Sequence, residues 1–406
     1  MENGRFAMLS LLLCCSGQFV IGRSGTMDDW IRLTNTLFSN YTKGIYPVFN
    51  FSEALTVDTS MMLISILDLD ELSGVITVNA VLTSKWTDFR LKWNPSDYGG
   101  IRDIFVNYST VWKPSLFVQT TAENLEQIGS SQFHVRINYT GECLELPGKI
   151  IRSTCQMDMS RFPMDSHLCE IIIRQWGMYI DEVRLINTAT TIQMSLFSPN
   201  AEWDVVNTSV TEDTHYNKPS NALIFSLYVR RKSRFFIISL TIPIFILCFL
   251  NPFVFLLPAS SGERISYTIT MFLSLAVYMT IMGDNIPRVS DNMAGMTYFL
   301  LFALIYSGTL ILLTILTIRC EWINDVNRFP DWLRTASVNC CHSKVLQRNA
   351  GLRRENETKD ESNMEENVNY QLHKDDVMKF IDVSLFAVCF ALISIGTILF
   401  LSFYYI

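Results

Sequence analysis

Hydrophobic and polar positions follow two different periods along this chain. From residue 24 to about 232 no long apolar run occurs, and short segments alternate or concentrate β-branched and aromatic residues. Val75-Ile76-Thr77-Val78-Asn79-Ala80-Val81-Leu82 and Leu223-Ile224-Phe225-Ser226-Leu227-Tyr228-Val229 are of this kind, and such runs read as strands of an antiparallel sandwich. Ahead of them, Trp30, Leu33 and Leu37 recur at helical spacing and predict a short helix from about Met27 to Leu37. The pattern changes at Arg230-Arg231-Lys232-Ser233-Arg234. Phe235 to Leu257 holds no charged residue over 23 positions, long enough for a helix to cross about 30 Å of hydrocarbon. Pro243 and Pro252 inside it predict local kinks. Ile265–Met282, Ala294–Ile318 and Lys379–Ile406 predict three further spans, the last with Asp382 as its one acid, near its entry. The expected fold is an N-terminal antiparallel β-sandwich ectodomain followed by a four-helix all-α transmembrane domain.

Composition agrees with two domains, one of them in a membrane. The chain has 406 residues, 49% hydrophobic and 17% charged, apolar for a soluble protein. A formal net charge of -7 argues against a nucleic-acid partner. There is no zinc-type cysteine pairing, and none of the 5 histidines falls in a ligand-spaced pair, so neither metal nor cofactor is expected. No arrangement of nucleophile, base and oxyanion donors is visible, so an enzyme is not expected.

Arg5 precedes an apolar run from Phe6 to Cys15, too short to span a bilayer, which reads as a secretory signal peptide over residues 1–23. Sequons at Asn40, Asn50, Asn107, Asn138 and Asn207 all precede the first span, against Asn356 alone afterwards. Clustering of this kind favours a glycosylated ectodomain over residues 24–234, in a compartment that permits disulfides. Spans one to three then occupy 235–318, a cytoplasmic loop with a partial helix 319–378, and the fourth span 379–406, with both termini extracellular at the plasma membrane. Arg319, Arg328, Arg334, Lys344 and Arg348 support that orientation. The basic cluster before the first span opposes it, but a translocated N-terminal domain fixes orientation first. Cys143 reads as a buried free thiol, and Trp86, Trp93 and Tyr98 as core and turn residues.

The second span is rich in hydroxyls for a lipid-facing helix. Ser266, Thr270, Leu273, Val277, Ile281 and Asp284 are spaced so that one helical face carries all six. Glu263 begins that face. Several copies around an axis would form a pore wall, with acid rings concentrating permeant monovalent cations at both mouths and Leu273 and Val277 forming a constriction that can dewet. The plainer alternative is that these hydroxyls bond their own helix or neighbouring helices.

Cys155 and Cys169 enclose Phe162-Pro163-Met164-Asp165. That pattern, ahead of four apolar spans, resembles the signature loop of the Cys-loop pentameric ligand-gated ion channels. LLPASSGERISYTITMFLSL, WTDFRLKWNPSDYGG, the Trp112-Lys113-Pro114 run and Trp176, seven residues after Cys169, resemble the nicotinic acetylcholine receptor branch. The resemblance runs in order from about Met27 to Ile406. It implies a Cys155–Cys169 disulfide, assembly with identical or homologous subunits as a pentamer in the lipid bilayer, and small-molecule agonist sites between ectodomains. Gly262-Glu263 implies cation selectivity. Phe162, Pro163 and Asp165 are expected to transmit gating to the linker around Pro287, with Arg231 or Arg230 pairing an ectodomain acid.

In the agonist box Trp176 matches the central Trp, whereas Gln119 and Val81 stand where Tyr and Trp are expected. The capping loop lacks adjacent cysteines and offers Tyr216 as its aromatic. Trp176, Tyr216 and Gln119 are thus the candidate ligand-binding residues, and an acetylcholine cage of ring faces is incomplete. The expected function is a ligand-gated cation channel. The alternative is a non-conducting or accessory subunit that needs partner subunits.

Overall fold

The computed structural model describes residues 25–130, 132–213, 221–285, 293–323, 329–337 and 374–405. The expected signal peptide, Tyr216 and Pro287 lie outside the described residues.

Helix α1 (Met27–Phe38) starts where Thr26 and Asp29 cap each other reciprocally, satisfying donors that the first turn leaves unpaired. Its Leu33 is buried against the sandwich that follows. That sandwich has eleven strands: β1 (Leu55–Asp70), β2 (Val75–Thr87), β3 (Asp103–Asn107), β4 (Leu116–Val118), β5 (His134–Asn138), β6 (Glu142–Glu145), β7 (Gly148–Thr154), β8 (Ser166–Gln175), β9 (Val183–Ile186), β10 (Trp203–Asp213) and β11 (Ala222–Arg231). One sheet runs β3-β5-β6-β2-β1-β9 with β7 also on β2, and the other runs β10-β11-β8-β4. In β2, Val78, Ala80, Leu82, Ser84 and Trp86 alternate inward with more exposed neighbours, the period-2 pattern of a half-buried strand. The sheets are not wholly antiparallel, because β9 pairs with β1 in parallel, Leu55 opposite Val183. Residues 176–182 carry the chain from β8 in one sheet to β9 at the edge of the other, a pairing that local alternation cannot reveal.

Trp86 meets Trp112 edge-on at 5.9 Å, and the indole of Trp93 donates to the Ile101 carbonyl at 2.8 Å. Tyr98 packs against the same core, and Cys143 is a buried free thiol.

Among the described residues, four helices are long and apolar enough to cross a membrane: α2 (Arg234–Leu256), α3 (Glu263–Asn285), α4 (Gly295–Glu321) and α5 (Lys374–Tyr405). α2 is irregular where its prolines predict. A π turn over Ile237–Thr241 leads into Pro243, and a 3-10 stretch over Asn251–Leu256 holds Pro252. Proline lacks the amide proton that a regular α-helix requires, so the ladder rearranges around it. The four helices share one core, and that core also includes Met159 and Phe162 from the ectodomain loop.

Candidate functional site

Cys155 and Cys169 are bonded, with Cα atoms 4.7 Å apart. The loop they close reaches into the membrane domain. Phe162, joined to Pro163 by a cis peptide, is 2% exposed and lies edge-on to Phe236 of α2 at 5.3 Å. The Gly295 amide at the start of α4 donates to the Ser160 carbonyl at 3.1 Å. The expected contact with the linker around Pro287 falls outside the described residues.

Behind this tip sits a buried charge cluster. Arg231 ends β11, three residues before α2 begins at Arg234. Its Nε donates to Asp165 Oδ1 at 2.7 Å and its second guanidinium nitrogen to Oδ2 at 2.9 Å. Glu71, in the turn between β1 and β2, pairs with the same guanidinium at 2.6 Å. The guanidinium also lies over the rings of Trp203, Phe162 and Phe236 at 4.3, 5.3 and 5.3 Å. His167 completes the arrangement. Its Nδ1 accepts from the Asp158 amide, so Nε2 carries the proton toward Asp165 Oδ2 at 2.6 Å. Burial alone would raise the Asp165 pKa, but the bonds from His167 and Arg231 hold it below the ordinary carboxylate value. Asp165 is thus the ectodomain acid paired with Arg231, and Glu71 and His167 join it without belonging to a recognised motif. The alternation of β8, which turns Ser166 out and His167 in, is the signal that marks His167.

Helix α3 has two unlike faces. Glu263, Ser266, Thr270, Leu273, Val277, Ile281 and Asp284 are all exposed, whereas Arg264, Thr268, Leu275 and Met282 are buried against the other helices. Thr270 donates to the Ser266 carbonyl at 2.8 Å. Its proton therefore stays within the helix while the oxygen remains on the exposed face. Arg264 is 1% exposed and forks onto Asp382 of α5 at 2.9 and 2.6 Å, with Nε donating to the Leu257 carbonyl at 2.7 Å.

On the outer end of β8, Trp176 is 53% exposed and packs edge-on against Phe117 at 4.7 Å. The two help line a cavity of about 400 Å³ with Leu125, Arg174, Met178 and Tyr179. Arg174 belongs to this wall. Its Nε donates to Gln119 Oε1 at 2.8 Å, and it pairs with Asp213 at 3.6 Å. Gln119 is thus tied to the pocket through Arg174 rather than lining it. Phe117 and Tyr179 add rings that sequence motifs did not reveal. Among the described residues, no group of three or more His, Cys, Asp or Glu is placed to hold a metal.

With this geometry in view, comparison with known proteins is decisive for the family. Residues 31–233 match the neurotransmitter-gated ion-channel ligand binding domain, and residues 240–400 match the neurotransmitter-gated ion-channel transmembrane region. The acetylcholine receptor subunit beta-type unc-29 of Caenorhabditis elegans is 31% identical over 337 residues, covering 82% of this chain and 67% of that protein. The neuronal acetylcholine receptor subunit alpha-6 of Rattus norvegicus is 28% identical over 345 residues, covering 84% and 70%. The chain belongs to the neurotransmitter-gated ion-channel family and is a multi-pass membrane protein of the ligand-gated cation channel class, not an enzyme.

Proposed function

We propose that this chain is one subunit of a pentameric plasma-membrane channel whose cation pore is lined by the exposed face of α3. The observation that carries the reading is the division of that helix. Its hydroxyl and branched apolar stripe stays uncovered between Glu263 and Asp284, while Arg264, Thr268, Leu275 and Met282 pack inward. Five copies facing a common axis would cover the stripe and give rings of acids at the two mouths.

Agonist binds between ectodomains, against Trp176, with Tyr216 on the capping loop and Gln119 acting through Arg174. A ligand there shifts the equilibrium only by its differential affinity for the open arrangement. The movement passes through Phe162, Pro163 and Asp165, with Arg231 as the hub, to α2 and to the linker holding Pro287. Glycans on Asn40, Asn50, Asn107, Asn138 and Asn207 and an extracellular N-terminus fit this orientation. Asn138 is half-buried and Asn40, Asn50, Asn107 and Asn207 are exposed.

Acetylcholine is named in the relatives' descriptions. Here the pocket combines aromatic rings with the Arg174 guanidinium, a weaker host for a quaternary ammonium than a cage of rings alone. Expression in oocytes under voltage clamp tests the pore. Leu273→Ser or Leu273→Thr is expected to raise resting leak and slow closure, because a hydroxyl wets the constriction. Unchanged leak and gating in a conducting receptor would remove Leu273 from the pore.

A further inference from the structure

The interior of the ectodomain holds an acid that neither pore nor coupling junction uses. Glu145 ends β6 with its side chain inward and 2% exposed. It stands opposite Ser84 of β2 in the ladder, and Ser84 stands opposite Thr59 of β1. Directly opposed residues share a face of the sheet, so the three form one row across three strands. Thr59 and Ser84 are fully buried. Glu145 Oε2, Ser84 Oγ and Thr59 Oγ1 have no hydrogen-bond partner among the described residues, nor does Trp86 Nε1, two residues along β2. Ser84 is nonetheless near enough to the acid to lower its pKa in part. A buried polar group left without a partner has lost its bonds to water and gained nothing in return. Apolar side chains would fill the same row without that cost.

Charge decides which form of Glu145 fits here. An ionised carboxylate in this row has lost its water and gained no donor at Oε2, so the neutral acid is the form that the sandwich accommodates. Burial pushes its pKa up to about 8 from an ordinary 4.5, while Lys113 and Ser84 pull it back only in part. Lys113, from the segment before β4, is the one ammonium that acts on it, with Nζ 3.1 Å from the centroid of the Tyr108 ring. Burial lowers Lys113, and Glu145 opposes that shift. Tyr108, the other titratable group that registers Glu145, is raised mainly by burial. Thr59, Ser84 and Trp86 contribute no charge.

We propose that Glu145 is a proton-binding site inside the ectodomain sandwich, protonated in the packed state and releasing its proton to solvent as the β1–β2–β6 row opens. The sign follows from a raised acid. Its stabilising contribution is complete below the unfolded value of 4.5 and is lost as pH rises to the folded value of about 8. The ectodomain core therefore loosens toward alkaline pH and tightens in mild acid.

Hydrogen–deuterium exchange on the purified full chain in detergent, corrected for intrinsic rates, reads this directly between pH 6 and 9. The opening equilibrium of peptides covering 82–87 and 142–146 is expected to rise about tenfold per pH unit and to level off near pH 8. Peptides of α2 to α5 should not follow it. Glu145→Gln, which mimics the neutral acid, should abolish the rise, and Lys113→Met should move the levelling-off to higher pH. A wild-type profile without this rise overturns the proposal, whether or not the variants fold. So does a Glu145→Gln profile that keeps the wild-type slope.

Discussion

Arg231 and Asp165 show how much one residue pair carries at the membrane boundary. A bidentate fork between buried groups is maintained because His167 and Glu71 satisfy the remaining valences. Asp165→Asn removes the charge and keeps the shape. The guanidinium would retain Glu71, so the expected loss is at the lower end of the range for a broken buried pair, about 3 kcal/mol, measured by denaturant unfolding of the full chain in detergent. The pH dependence has the opposite sign to that of Glu145. Asp165 is depressed below 3.8, so its contribution is present above that value and is lost as pH falls through the folded one. Wild type and Asp165→Asn should therefore converge only in strong acid. A variant that matches wild type at neutral pH would show that the fork contributes nothing to stability.

At the scale of elements, the two faces of α3 give a periodic expectation. Cysteines placed at 266, 270, 273 and 277 in the assembled receptor should react with an aqueous thiol reagent roughly tenfold faster than cysteines at 268 and 275, following the helical repeat. Uniform rates would mean that the stripe faces lipid or protein instead of water. This helix was readable from the chain because period, hydroxyl content and terminal acids all pointed to one face. Its other face was not. Arg264 is buried there, and its partner is 118 positions away on α5. The cavity beside Trp176 was half-readable for a similar reason. Trp176 is marked by its offset from Cys169, whereas Phe117 and Arg174 meet through the β4–β8 register, which alternation alone does not fix. The parallel β1–β9 pair escaped notice on the same ground.

In the whole molecule, ectodomain and membrane domain share packing at one end, and the four helices are tied together at the other. Phe162 and Met159 join the helical core near the start of α2 and α4. At the far end Arg264 links the first residues of α3 to Asp382 on α5, to the Leu257 carbonyl after α2, and to Thr317 on α4 at 3.4 Å. The exposed stripe of α3 therefore belongs to a helix held at its base by a buried ion pair and contacted through its neighbours at its top. Removing one partner leaves a buried charge uncompensated, at about 3–5 kcal/mol. Arg264→Gln and Asp382→Asn should each reduce assembled receptor at the surface severalfold. The exchanged pair, Arg264→Asp with Asp382→Arg, keeps the attraction and should recover much of that loss, read by surface biotinylation and by size-exclusion of the pentamer. If the exchanged pair is no better than either single variant, the attraction between the two charges is not what holds the foot, and the bonds to Leu257 and Thr317 are left to do so.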